Sequence, residues 1–353
     1  MNATKAVNQR SNPSSPATSR RSFLGRAGAL GTVGAVPLAG LFGVANKALG
    51  QNAAGIPASD VAILQFLAAA ELLECDLWQQ YCELAMNNPG YREALRRIDE
   101  SLPDYICGDF EDECSHANLI NVFLRSIGAQ PVNLDIFRTL PSSTARGAQQ
   151  IGRLTSLANL TVDTSYYARY RSAGNPDFGD VFPQVLNITN KPTIPLSDDV
   201  NEHEMRVIAQ TAAFHFAAIE QGGSSLYNSL STKVTNLDVL AILASIGPTE
   251  VYHFAVFQTA LEGIDDLEGG NGIQFPDLRH RPDRGAVMPK PCKFLNVNFP
   301  VCSVIRPRST AKAGAVAAAT GLAGSGLFAG QSKAFIDAAV GLATAADSAS
   351  RQS

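Results

Sequence analysis

Between residues 58 and 267 the chain repeats one pattern four times. Apolar positions recur at three- and four-residue steps, which gathers them on one face of an α-helix. The first stretch carries Leu64, Leu67, Glu71, Glu74, Trp78, Tyr81 and Ala85; the second carries Ile106, Glu113, His116, Ile120, Phe123 and Ile127. The third has Ala213, Phe216, Glu220, Gly223, Tyr227 and Leu230, and the fourth Leu243, Ile246, Glu250, His253, Phe257 and Ile264. Ser59-Asp60, Pro103-Asp104, Asp198-Asp199 and Thr235 or Asn236 stand where helix N-termini want small polar or acidic residues. Asn87 to Gly90 ends the first helix and Gly128 the second. A short amphipathic piece, Tyr91 to Leu102, joins them. The fold class is all-α, a four-helix bundle.

Residues 129–197 break the rhythm, with Pro131, Pro141, Pro176, Pro183, Pro192 and Pro195 punctuating them. Two helical pieces, about 144–157 and 160–172, are expected there. A long crossover between the second and third helices is what a bundle needs when those two run parallel. Gly222-Gly223 inside the third helix predicts close backbone packing. Gly247-Pro248, just ahead of Glu250, predicts a kink or a π-type irregularity. Residues 268–308 read as an irregular Pro/Gly-rich wrap, and 309–353 as an Ala/Gly-rich tail, either a loose helix pair or unstructured.

The polar residues inside these apolar stripes carry the chemistry. Glu113 and His116, and again Glu250 and His253, are three residues apart and share a helix face. Two such pairs on facing helices supply half the ligands of a two-metal carboxylate site, the other two helices giving one Glu each. Glu220 is the candidate on the third helix; the first offers Glu71 and Glu74. A buried carboxylate without a partner is costly, so these groups should be paired, protonated or bound to metal. The remaining histidines read differently. His215 lies off the site face and reads as structural, and His203 and His280 read as surface residues. The aromatic and Arg-rich run 163–171 reads as packing.

Composition narrows the setting. The chain has 353 residues, 45% of them hydrophobic, with a formal charge of −4. That argues against nucleic acid or an anionic membrane surface as the main partner. Ser19-Arg20-Arg21-Ser22-Phe23-Leu24-Gly25 precedes an apolar Gly/Ala-rich run, which resembles a twin-arginine signal peptide over residues 1–50. The expected localisation is periplasmic or extracellular, with the twin-arginine translocase as partner during export. The six cysteines then suggest disulfides.

Taken together, these residues resemble the ferritin-like di-metal carboxylate superfamily, and within it the exported ferritin-like domain family that includes plant desiccation-related proteins. The likeness covers about 60–265. In that superfamily the single Glu of the first and third helices is followed seven residues later by Tyr. Here Glu74 precedes Tyr81 and Glu220 precedes Tyr227. The resemblance thus selects Glu74 over Glu71, which becomes a neighbour of the ligands. It implies metal ligands Glu74, Glu113, His116, Glu220, Glu250 and His253, with Glu113 and Glu250 bridging two ions. Tyr81 and Tyr227 would bond the ligands or relay electrons. If the first two helices run antiparallel with their metal ligands level, Cys75 with Cys114 and Cys82 with Cys107 have equal positional sums. Those two bridges are expected, with Cys292–Cys302 closing a loop.

Four carboxylates balance two divalent cations, and oxygen-rich coordination suits iron, or alternatively manganese. The enzymatic reading is a di-metal oxidoreductase of peroxidase, catalase or oxidase type, acting on dioxygen or peroxide in stress protection, with an electron donor the residues do not name. The alternative is a metal-binding or iron-sequestering protein without catalysis. Fold and ligands recur across many activities, so they do not choose between these. The long insertion argues against a many-subunit cage, with a homodimer allowed for.

Overall fold

The computed structural model describes residues 55–169, 183–279, 291, 293–304 and 314–352. Four long helices form the expected all-α bundle: α1 (Ala58–Asn87), α3 (Leu102–Ser126), α4 (Glu202–Ser231) and α5 (Leu237–Ala260), with the short α2 (Pro89–Ile98) between the first two. Side-chain caps set several boundaries. Asn88 accepts the Tyr91 N–H and starts α2. Asn201 and Glu204 form a reciprocal capping box at α4. Asn236 accepts the N–H groups of Asp238 and Val239 at α5. Gly128, with φ +76°, follows α3 in the left-handed conformation that glycine adopts without strain.

The start of α1 differs from expectation. Pro57 occupies the cap position and no side chain caps the helix. Asp60 is fully buried and accepts the N–H groups of Thr235 and Asn236 at 3.1 and 2.7 Å. It serves the turn between α4 and α5 rather than its own helix.

Two sets of cross-links fix the helix directions. Disulfides Cys75–Cys114 and Cys82–Cys107 join α1 to α3 with Cα–Cα distances of 4.9 and 4.8 Å. Advancing seven residues on α1 means retreating seven on α3, so the two are antiparallel. Hydrogen bonds Trp78–Glu220 and Tyr227–Glu71 relate α1 to α4 by the same rule. Hence α3 and α4 run parallel, and the chain must cross the length of the bundle between them. The third expected bridge involves Cys292, which lies outside the described residues, as do the signal segment and His280.

That crossover is not the helix pair expected. It holds a two-stranded antiparallel ribbon, β1 (Leu160–Val162) with β2 (Ile188–Lys191), and a single helical turn at Tyr166–Arg169. Over 144–157 the reason is a long-range acceptor. Asp76 of α1, fully buried, accepts the N–H groups of Leu154 and Thr155 at 3.0 and 2.9 Å and the Thr155 hydroxyl at 2.7 Å. Backbone donors committed to a carboxylate on another element are lost to a helical ladder. Arg138 completes Asp76 at 2.6 Å, and the buried Arg153 pairs with Glu83.

α5 stays α-helical through Pro248, without the π-type irregularity predicted. Gly247 instead lets α5 close on α4: a Cβ there would stand 2.9 Å from that of Tyr227. After α5, β3 (Leu267–Gly270) and β4 (Ile273–Phe275) form a hairpin around Asn271 and Gly272, both at positive φ. The tail forms two helices, α6 (Ala315–Ser325) and α7 (Lys333–Asp347). α7 packs on α1, and Asp347 accepts the N–H groups of Ala315 and Val316 at 2.9 Å each, so one helix end caps the other's start.

Candidate metal centre

Glu113 sits at the middle of the bundle, fully buried, with its two oxygens turned to opposite sides. Oε2 lies 3.3 Å from Nδ1 of His116, and Oε1 lies 3.1 Å from Nδ1 of His253. The two imidazoles stack roughly parallel, centroids 6.3 Å apart. Two groups of buried ligand atoms result: Glu71, Glu113, His116 and Glu250 on one side, and Asp109, Glu113, Glu220 and His253 on the other. Glu113 belongs to both.

α1 and α4 contribute by a matched pattern. On each side a Glu uses Oε1 to accept a hydrogen bond from an aromatic donor and turns Oε2 toward an imidazole. Trp78 Nε1 donates to Glu220 Oε1 at 3.0 Å, and the Tyr227 hydroxyl donates to Glu71 Oε1. Glu71 Oε2 is 3.3 Å from His116 Nδ1, and Glu220 Oε2 is 3.3 Å from His253 Nδ1. Trp78 is seven residues beyond Glu71, as Tyr227 is beyond Glu220. Each donor serves the acid of the other helix. Trp78 is fully buried and stacks on Phe257 at 5.0 Å, with Phe216 at 5.2 Å, so its indole is fixed by packing before it bonds.

The residues singled out from the sequence therefore divide. Glu113, His116, Glu220, Glu250 and His253 converge, and Tyr227 reaches the cluster. Glu74 lies beside Glu113, Glu71, Glu220 and Asp109, but it also borders a cavity on its other side. It stands outside both four-residue groups, where Glu71 takes the place expected of it. Tyr81 does not bond a carboxylate: its hydroxyl meets Thr193 Oγ1 at 2.7 Å and His215 Nδ1 at 2.8 Å. The seven-residue step that acts on α1 is Glu71–Trp78, not Glu74–Tyr81. Asp109 is a further member that the apolar pattern did not single out, although it lies four residues before Glu113 on the same face. His203 is exposed and His215 is buried among the helices.

Charge accumulates here without cations. Burial pushes the carboxyls of Glu74, Glu113 and Glu250 well up, and their mutual repulsion adds to it. Glu220 is pushed up to about 8 by burial, Asp109 adding to the effect. Burial also raises Asp109, against the pull of His253. Burial alone would lower His253, but Asp109, Asp112 and Glu113 around it raise it instead.

The donor set fits metal ions. Glu71 Oε2, both Asp109 oxygens, Glu113 Oε1, Glu220 Oε2, both Glu250 oxygens and His253 Nδ1 are buried without a hydrogen-bond partner. His253 Nδ1 and Asp109 Oδ1 are 2.8 Å apart yet not aligned as a hydrogen bond. These atoms converge on shared points rather than on one another. Asp76, equally buried on α1, has its arginine and its amide donors. The cluster between the helices, by contrast, gathers seven carboxylate oxygens that are buried without a donor. Across from its site-facing nitrogen, His253 has Nε2 held at 3.1 Å by Asp112, the arrangement that orients metal-binding imidazoles.

A four-helix bundle with paired Glu/His contributions and an internal carboxylate cluster defines the ferritin-like class. The chain belongs to the ferritin-like domain family, whose model matches residues 59–263. No match was found among curated proteins or among solved structures.

Proposed function

We propose that this chain is an exported di-metal carboxylate protein, with iron or alternatively manganese, that acts on dioxygen or peroxide in protection against oxidative or desiccation stress. The observation that carries this reading is the division of Glu113 between two groups, each holding one imidazole and an acid braced by an aromatic donor. Glu71, Glu113, His116 and Glu250 would hold one ion; Glu113, Glu220 and His253, with Asp109 beside them, would hold the other. A bound pair of such ions supplies electrons for reducing dioxygen or peroxide.

The chain's own groups do the rest. Trp78 and Tyr227 each hold one oxygen of Glu220 and Glu71, leaving the other oxygen free to bind. Asp112 fixes the tautomer of His253 so that Nδ1 faces inward. Glu74 and Asp109 bring the acids in and beside the cluster to six, where the bundle pattern asks for four. Six carboxylates balance two trivalent ions; with two divalent ions, two acids keep protons. The site thus suits ions that pass between those charge states, with Glu74 and Asp109 placed to give up or take back a proton as they do. Two disulfides favour an oxidising compartment, in keeping with the twin-arginine-like segment.

The test is purification of the exported protein, elemental analysis, and measurement of peroxide and dioxygen consumption. Two ions per chain with turnover is the expected result. A full metal complement without turnover would leave sequestration as the role. Absence of metal after loading with iron and with manganese would remove both.

A further inference from the structure

Beside the carboxylate cluster lies a cavity of about 610 Å³. That is within the range of small-molecule sites, about 300–1,000 Å³. It runs along the groove between α1 and α4. Phe66, Leu73 and Leu77 line it from α1, Ile219 and Leu226 from α4, and Leu322 of α6 covers it. At the helical rise per residue, the stretch from Phe66 to Leu77 is about 16 Å long. The lining is mainly aliphatic side chains and the small residues of α6, so the space suits an extended apolar body rather than a compact polar one.

Two residues connect this cavity to the cluster. Glu74 lines it and lies beside Glu113. Gly223 lines it too, and a Cβ at that position would stand 2.1 Å from Glu250 Oε2. Glycine here leaves no side chain at that position between the cavity and Glu250. The adjacent Gly222 faces open space, with no atom within 4 Å of where its Cβ would be. The pair therefore has two purposes: one glycine admits Glu250, the other keeps the groove wide.

The lining also selects charge. Glu74 and Asp163 border the cavity, with Gln184, Gln221 and His215, and among the described residues no Lys or Arg does. An anionic head group would be buried beside carboxylates with no cation among the described lining residues to balance it. We infer that this cavity binds a neutral, elongated apolar molecule, an alcohol, aldehyde or hydrocarbon of the long-chain type, and holds it against the Glu74–Gly223 edge of the cluster. As a substrate or effector site this rests on the metal-centre reading; as a binding site it stands alone.

The binding claim is tested on metal-free full-length protein with the neutral fluorescent probe N-phenylnaphthylamine. Binding should enhance its fluorescence, dodecanol should displace it, and dodecanoate should compete at least about ten-fold more weakly, a free-energy gap of about 1.4 kcal/mol. Gly222→Phe fills the groove from α4 and Gly321→Leu from α6, where no atom lies within 4 Å of the new Cβ. Each should weaken probe binding at least about ten-fold while the thermal midpoint does not fall. Probe binding unchanged in both folded variants, or dodecanoate competing as well as dodecanol, overturns the proposal. Position is read separately: in protein shown to contain manganese, bound dodecanol should have broader proton NMR lines than in zinc-loaded protein. No extra broadening overturns the placement. Failure to load manganese would count against the metal centre, while the metal-free titration would still decide the cavity.

Discussion

Trp78 donates its indole N–H to Glu220 across the bundle, and Tyr227 returns the favour to Glu71, so two helices brace each other's acids. Neither donor is a ligand, yet each decides which oxygen its acid presents. Removing a group that orients a ligand typically costs about 10–100-fold in metal affinity. Trp78→Phe and Tyr227→Phe should each fall in that range in a competition titration with a chelating dye. Tyr81→Phe should leave affinity unchanged and cost only about 1 kcal/mol of stability through the lost bonds to Thr193 and His215.

Glu71 and Glu74 separate cleanly. Glu71→Ala should remove the ion on the His116 side, taking metal content from two per chain toward one. Glu74→Gln keeps shape and hydrogen-bonding capacity and should retain both ions. Glu113→Ala, which takes a ligand from both groups, should bring the content below one. Elemental analysis of the three variants decides the assignment.

Protons and metal compete for the same oxygens. Glu220 is held at about 8, above the ordinary carboxylate value, by burial and by Asp109, and Glu113 and Glu250 are raised likewise. The folded metal-free protein therefore binds more protons than the unfolded chain once pH exceeds the ordinary carboxylate value near 4.3. Its stability is fully present below that pH and is lost as pH climbs through 8. Urea denaturation of chelated protein at intervals from pH 5 to pH 8 should show falling midpoints, with up to one proton's linkage per carboxylate involved. Adding metal should flatten or reverse the trend, because the ions displace those protons.

The disulfides give a fourth expectation. Their loops span 39 and 25 residues. Cys82→Ser with Cys107→Ser should cost about 2–4 kcal/mol in denaturant unfolding. The same loss should follow reduction of that bridge in the unaltered protein.

How far these features were readable from the chain depends on how local they are. Glu113 with His116 and Glu250 with His253 are set by one helical turn, so spacing alone finds them. The two cysteine pairs followed from antiparallel packing, a rule with one free offset. Glu71 and Glu74 are different. They are three residues apart on one face, both have an aromatic residue seven positions on, and helical periodicity cannot rank them. A pattern asking for Tyr chooses Tyr81; an indole N–H does the same work, and the chain's single Trp marks the other pair. Asp109 could have been found, being one turn before Glu113 on the inner face. The absence of a helix over 144–157 could not, because its cause is Asp76, nearly eighty residues away from the amides it captures.

Both covalent ties join α1 to α3, and among the described residues none reaches α4 or α5. One jaw of the cradle, carrying Glu71, Glu113 and His116, is bolted; the other, carrying Glu220, Glu250 and His253, is clamped by packing and hydrogen bonds without a covalent tie. Heat or denaturant should loosen the clamped jaw first. An ion lost by that route from the His116 group leaves three of its four donors still in register to catch the next one.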